Sequence, residues 1–215
     1  MSVNSHDQLS SGRPRAGCVV GIAGPSGSGK STLAENLARR FDGRCVIVSQ
    51  DWYYKDLSCL PPERREEVNF DQPGALDWND LVRDLRSLRA GRPVDAPVYD
   101  FHTHTRSTAV RRLEPQPLVI VEGILIFYPT ELRREMDYKV YLDMADDIRF
   151  IRRLQRDMQE RGRDVESIIK QYLETVRPMY ERFVRPAAAF ADICLNTSGP
   201  VDLGPVEQRV RALLA

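Results

Sequence analysis

Excess charge of either sign is missing from this 215-residue sequence, in which 31 Lys and Arg face 31 Asp and Glu. No whole-molecule field therefore draws it toward nucleic acid or an anionic membrane. Long apolar runs are missing too, and nothing approaches the ~20 consecutive residues of a membrane-spanning helix. The Ser-rich start has no apolar core of the kind a secretory signal needs, so residues 1–16 read as a disordered N-terminal leader. Cysteine is sparse: Cys18, Cys45, Cys59 and Cys194 form no C-x-x-C motif, which argues for reduced thiols in a cytoplasmic enzyme. Cys18, Cys45 and Cys194 lie in apolar runs that read as buried strands. Lysine is scarce beside arginine, and many arginines lie between Arg133 and Arg185, so phosphate can be recognised locally despite the zero net charge. Internal repeats and low-complexity stretches are absent as well. The length suits one α/β domain over residues 17–215, with room for a small lid.

What is present is a strand, a glycine-rich loop and a helix in succession. The apolar run Cys18–Ala23 leads into Gly24-Pro25-Ser26-Gly27-Ser28-Gly29-Lys30-Ser31, and Thr32 opens a helical pattern that runs to Arg40. This is the spacing G-x-x-x-x-G-K-S of a phosphate-binding P-loop in its required context. Glycines at 24, 27 and 29 let successive backbone N–H groups turn toward a polyphosphate, and the helix dipole adds to the attraction. Lys30 is expected at the β/γ-phosphates and the Ser31 hydroxyl on Mg²⁺. ATP with Mg²⁺ is the expected ligand pair.

Further along, Cys45–Val48 reads as a short buried strand ending at Ser49-Gln50-Asp51, and residues 52–77 as a long surface excursion. A helix follows with Asp77 at its N-cap, and Val94–Leu113 reads as a β-hairpin. Leu118–Gly123 and Tyr138–Asp143 are apolar strands, the first carrying Glu122 near its end. Asp146–Arg161 reads as a helix with Ile148, Ile151, Leu154 and Met158 on its packing side and Arg149, Arg152, Arg153 and Arg156 opposite. A second helical stretch, Val165–Tyr180, a short strand at Asp192–Leu195 and a terminal helix complete the chain. Strands alternating with helices predict an α/β fold of P-loop NTPase type: a mainly parallel sheet with helices on both faces.

Glu122 stands where P-loop enzymes place a magnesium carboxylate, and Asp51 at a strand's end can accept a substrate hydroxyl's proton. A loop cap bonding its own backbone is the plainer reading of Asp51.

With these residues the chain resembles the uridine/cytidine kinase family. The resemblance runs from about Val19 to Leu195 and is carried by Gly24–Ser31, Ser49-Gln50-Asp51, Asn69-Phe70-Asp71-Gln72-Pro73 and Pro97-Val98-Tyr99-Asp100-Phe101. His104-Thr105-Arg106, Val121-Glu122-Gly123 and Arg152–Asp157 with Glu160–Asp164 extend it. It implies a nucleoside-binding hairpin over about 94–114 and a helical lid over about 156–177. It also implies transfer of the ATP γ-phosphate to the 5′-hydroxyl of uridine and cytidine, in pyrimidine salvage. By the same resemblance Asp51 is the general base, Asp77 holds the ribose hydroxyls, and Tyr99 and His104 read the pyrimidine. Arg153, Arg156 and Arg163 bind phosphates or sugar as the lid closes, with Arg163 counted with Asp51 and Lys30 in catalysis. Ser31, Asp51 and Glu122 surround Mg²⁺, and Ser26, Ser28 and Thr32 join the loop glycines around ATP. A homo-oligomer is implied, a tetramer among the options, with no nucleic-acid or membrane partner. Trp52 and Leu76 depart from the family pattern.

Plainer roles stand beside these: Asp77 as helix cap, Tyr99 as cross-strand packing, His104 as a turn residue, the arginine face as solvated. A relative acting on another small alcohol, such as a phosphoribulokinase or pantothenate kinase, and a non-catalytic ATP-binding regulator are the competing functions. The hairpin weighs against the first. A base at Asp51 weighs against the second.

Overall fold

A computed structural model describes residues 17–215 of the chain, and the expected leader lies outside the described residues. The elements in order are β1 (Cys18–Ala23), α1 (Lys30–Arg39), β2 (Cys45–Ser49), α2 (Pro62–Glu66), α3 (Trp78–Arg89), β3 (Val94–Asp100), β4 (Thr105–Leu113) and β5 (Leu118–Gly123). They continue with α4 (Thr130–Arg134), β6 (Tyr138–Asp143), α5 (Asp146–Arg161), α6 (Val165–Gln171), α7 (Arg177–Met179), β7 (Ile193–Asn196) and α8 (Gly204–Leu214). Five strands form a parallel sheet in the order β2-β5-β1-β6-β7.

The central strands are apolar on both faces because helices cover both. Val19, Val119 and Val121 pack with Leu81, Leu85 and Leu88 of α3. Val20, Ile22, Leu118 and Ile120 pack on the other side with Leu33 and Leu37 of α1 and Val206 and Val210 of α8. Alternate residues of a strand thus feed two separate cores.

Register then sets the working edge. Glu122 pairs with Ser49 of β2 and with Ile22 of β1, so three neighbouring strands release their chains at one level. That carboxyl edge, where chain direction diverges, is where open parallel sheets bind ligands.

β3 and β4 form a separate antiparallel hairpin, with Tyr99 opposite Arg106 and an irregularity between Pro97 and Tyr99. A 3₁₀ turn at Gln50–Tyr53 leads into the excursion over residues 52–77, which also contains α2 and a 3₁₀ turn at Pro73–Ala75. Asp77 caps α3 as expected, its Oδ1 accepting the Asp80 N–H at 3.3 Å.

Two expectations are corrected. Cys194 is exposed, because β7 is a sheet-edge strand, although all four thiols are free. On α5 the packing side is inverted: Arg149, Arg153 and Asp157 are buried while Ile151 and Met158 are exposed. The cause is that the guanidinium groups find partners inside. Arg149 lies 3.6 Å over the Tyr180 ring, and Arg153 reaches Ser26 and Gln171. The second helical stretch is also less regular than its sequence suggests, with π-helical turns at Tyr172–Val176 and Tyr180–Val184 on either side of α7.

Candidate active site

The loop after β1 folds as its glycines require. Gly27 has φ +83, and a Cβ there would come within 2.7 Å of the Arg149 carbonyl oxygen, so the loop tolerates only glycine. Gly24 and Gly29 also have positive φ, and Gly29 caps α1. Lys30 opens the helix with its ammonium buried and donating to the Pro25 carbonyl at 2.9 Å. Ser28 is buried and its carbonyl accepts from Thr197 Oγ1 at 2.9 Å, which ties the loop to the end of β7. Ser31 and Thr32 are exposed on the first turn, and Ser26 faces α5 through Arg153.

Asp51 leaves β2 in a 3₁₀ turn. Its N–H donates to Ser49 Oγ at 3.4 Å, and that hydroxyl donates to Glu122 Oε1 at 2.7 Å. A single serine therefore connects the candidate base to the candidate metal carboxylate. Gln50 packs beneath them, fully buried, with Oε1 accepting the Leu125 N–H at 2.7 Å. A Cβ on Gly123 would fall 2.3 Å from the Gln50 side chain, so Gly123 makes room for this brace.

Lys30, Glu122 and Asp51 share one field. Burial pushes the Glu122 carboxyl upward; Lys30 opposes that, Asp51 adds to it, and the Ser49 and Ser31 hydroxyls favour the charged form. Burial pushes the Lys30 ammonium downward, against the pull of Glu122 and Asp51. Burial thus disfavours the charged forms of Lys30 and Glu122. A polyphosphate supplies opposite charge to Lys30 and a divalent cation supplies it to Glu122.

The donor set fits Mg²⁺: two carboxylates and a hydroxyl, all hard oxygens. Among the described residues no group of three or more His, Cys, Asp or Glu is placed to hold an ion alone. An ion that arrives on the nucleotide and keeps its phosphate ligands needs no such cage.

Beside this centre the hairpin and the excursion build an aromatic pocket. Tyr54 lies 5.3 Å from Tyr99 and 5.4 Å from Phe70 between ring centroids, and His104 stacks on Phe70 at 4.7 Å and 17°. The Tyr99 hydroxyl is buried and takes no hydrogen bond from the described residues; burial pushes its pKa up to about 12. His104 sits at φ +54 in the turn. Arg65 fastens α2 to that turn, donating to the carbonyls of Thr103 at 3.0 Å and Leu60 at 2.8 Å. Leu76 is buried and bridges Tyr54, whereas Trp52 stacks under Arg111 at 4.5 Å.

Arg153, Arg156 and Arg163 converge on a residue that the sequence reading gave no role. Asp157 is fully buried, its Oδ1 accepting from Arg156 Nε and Nη2 at 2.9 and 2.8 Å. Its Oδ2 lies 3.4 Å from Arg153 Nε and 3.8 Å from Arg163 Nη1. Gln171 Oε1 accepts from both Arg153 and Arg163. Asp71, pushed upward by burial and pulled back by Arg153, completes a cleft between the P-loop and Arg149 and Arg153 of α5. An acid directly after Arg156, inside an arginine-rich helix, was the available signal for Asp157.

The structure thus brings together the loop residues 24–32, Asp51 and Glu122, with Arg153 reaching the loop from α5. It places Tyr99 and His104 in one aromatic cluster, with Asp77 tied to Arg106 on the same hairpin. Comparison with known proteins bears on the chain as a whole. The uridine kinase of Chloroflexus aurantiacus (strain ATCC 29366 / DSM 635 / J-10-fl) is 48% identical over 199 residues, covering 91% of this chain and 95% of that protein. The uridine kinase of Lactobacillus helveticus (strain DPC 4571) is 46% identical over 187 residues, 86% of this chain and 89% of the relative. In fold the chain resembles the phosphoribulokinase from Rhodobacter spheroides, with a TM-score of 0.64 at 17% identity over 85% of this chain and 70% of that one. A family model, described as Phosphoribulokinase / Uridine kinase family, matches residues 19–203, and the chain belongs to that family.

Proposed function

We propose that this protein is an ATP-dependent nucleoside kinase that transfers the γ-phosphoryl group to the 5′-hydroxyl of uridine, and of cytidine. The observation that carries the reading is that the turn bearing Asp51, which shares the field of Lys30 and Glu122, runs directly into Tyr54, whose ring packs with Phe70 and Tyr99 while His104 stacks on Phe70. An aromatic surface suits the face of a flat pyrimidine, whereas a sugar phosphate calls for cations there.

The loop N–H groups and Lys30 hold the β- and γ-phosphates. Asp51 takes the proton of the 5′-hydroxyl as it attacks, and Asp77 accepts the ribose hydroxyls. Tyr99 and His104 meet the edge of the base. Arg153, Arg156 and Arg163 stabilise charge on the transferring group and help exclude water. Ser31, Glu122 and Asp51 are the residues that would hold Mg²⁺, which neutralises phosphate charge when bound. Little covalent work falls to the protein, so positioning and charge supply most of the rate.

One P-loop kinase domain over residues 17–215, acting in the cytoplasm as a homo-oligomer, completes the proposal. No helix among the described residues is long and apolar enough to cross a membrane. The test is a turnover panel with Mg-ATP: uridine, cytidine, purine nucleosides, ribulose 5-phosphate and pantothenate. Turnover of uridine and cytidine well above the rest is expected. Preference for a non-nucleoside alcohol, or ATP binding without turnover, would overturn the assignment.

A further inference from the structure

Arg106 belongs to the His-Thr-Arg segment, yet the mechanism above leaves it without a task. On β4 it stands directly opposite Tyr99 of β3 and two residues after His104. Its guanidinium does not point to solvent. Nε donates to the Tyr54 carbonyl at 2.8 Å and Nη2 to the Tyr53 carbonyl at 3.3 Å. Nη1 lies 3.3 Å from Asp80 Oδ2, and Nη2 3.8 Å from Asp77 Oδ2. The backbone N–H of Arg106 donates to Asp56 Oδ1 at 3.0 Å.

These contacts join three segments that the nucleoside must bridge. The Tyr53 carbonyl that accepts from Arg106 also accepts the backbone N–H of Asp77 at 2.8 Å. The 3₁₀ turn ending at Tyr53 carries Asp51, and β4 begins at the turn that carries His104. Asp77 has one oxygen on the Asp80 N–H and the other toward Arg106, so its carboxylate plane is set from both sides. A two-stranded hairpin outside the main sheet has little intrinsic rigidity. A planar guanidinium fork is a stiff connector for it.

We propose that Arg106 is a positioning residue for sugar discrimination. It holds the base-reading hairpin and Asp77 at the spacing of a ribonucleoside, so that the 2′-hydroxyl becomes part of recognition. This rests on the proposed role of Asp77 in accepting the ribose hydroxyls.

The test measures kcat and KM for uridine, 2′-deoxyuridine and ATP in the wild type, Arg106→Gln, Arg106→Lys, Asp77→Asn and the Arg106→Gln/Asp77→Asn double variant. Thermal melting is recorded alongside. Arg106→Gln is expected to lower the uridine-to-deoxyuridine ratio of kcat/KM by at least about tenfold, since a site that hydrogen-bonds a hydroxyl rejects the analogue lacking it. The KM for ATP should move less than about twofold, because the phosphates touch none of these groups. Arg106→Lys, which keeps the charge but not the fork, should restore part of the ratio. The double variant should discriminate no worse than Asp77→Asn alone, because Arg106 acts through Asp77. If Asp77→Asn lowers the ratio but neither Arg106 variant does, the proposal falls while the ribose reading stands. If Asp77→Asn leaves the ratio unchanged, the ribose reading fails and takes the proposal with it. Equal losses for uridine and ATP would make Arg106 a general fold staple, which also overturns it.

Discussion

Tyr99 shows how a side chain can be costly to the free protein and useful to the complex. Its hydroxyl is buried without a hydrogen bond from the described residues, and such a group costs about 1–3 kcal/mol. Tyr99→Phe should therefore hold or raise stability in urea unfolding, by up to that amount. Its KM for uridine should rise about two- to tenfold, as for one lost hydrogen bond, with the KM for ATP unchanged. A clear loss of stability with normal uridine kinetics would return Tyr99 to cross-strand packing. The pH dependence has a definite sign. Burial raises the phenol to about 12, so between about 10 and 12 the unfolded chain gives up this proton while the folded one keeps it. Stability from this group is full below pH ~10 and is lost as pH climbs through 12. The difference in melting temperature between wild type and Tyr99→Phe should shift in favour of the variant across that window. Residue types at the P-loop, Asp51 and Glu122 were legible because each follows an apolar strand at fixed spacing. Ser49, which joins Asp51 to Glu122, was not: a serine hydroxyl takes its meaning from what stands on the next strand.

Among the elements, β1, β5 and β6 begin and end where the sequence places them, since each is dominated by an apolar run of strand length, as in a sheet covered on both faces. α5 was legible in its span but not in its orientation. Periodicity reports which residues share a face, and burial of arginine depends on partners from distant segments, here Ser26, Gln171 and Tyr180. At the centre of that face is Asp157, fully buried among Arg153, Arg156 and Arg163. Asp157→Asn removes their counter-charge without changing shape. Breaking a buried ion pair from one side costs about 3–5 kcal/mol, so the variant should lose stability on that scale in urea unfolding. Turnover should fall as well, because the arginines lose the orientation that faces them to the P-loop. A variant as stable as the wild type would show that the lid arginines hold themselves in place.

For the whole molecule, the parallel α/β class was legible from the alternation of strands and helices, but the order β2-β5-β1-β6-β7 was not. Which strands neighbour each other is decided by contacts far apart in sequence, and it is this order that sets Ser49, Glu122 and the P-loop side by side. The thiols report on the same packing. Burial pushes Cys18 to about 11 and Cys45 to about 12, whereas Cys59 is exposed. A disulfide reagent at neutral pH should therefore label the exposed Cys59 and Cys194 readily, the half-buried Cys45 slowly, and Cys18 only on unfolding, as read by mass spectrometry. Rapid labelling of Cys18 would contradict a sealed core beneath β1. The central claim is that three adjacent strands deliver a base, a metal carboxylate and a phosphate loop to one hydroxyl. Its most direct test is the single-turnover rate of Asp51→Asn with uridine and Mg-ATP, measured against both pH and Mg²⁺ concentration. The variant keeps the shape of Asp51 but almost none of its basicity. The account predicts a fall of at least about 100-fold, nearly unchanged uridine binding by calorimetry, and at most partial recovery at high Mg²⁺, since Asp51 would also hold the ion. A fall of less than about tenfold, or full recovery with added Mg²⁺, would contradict Asp51 as the base.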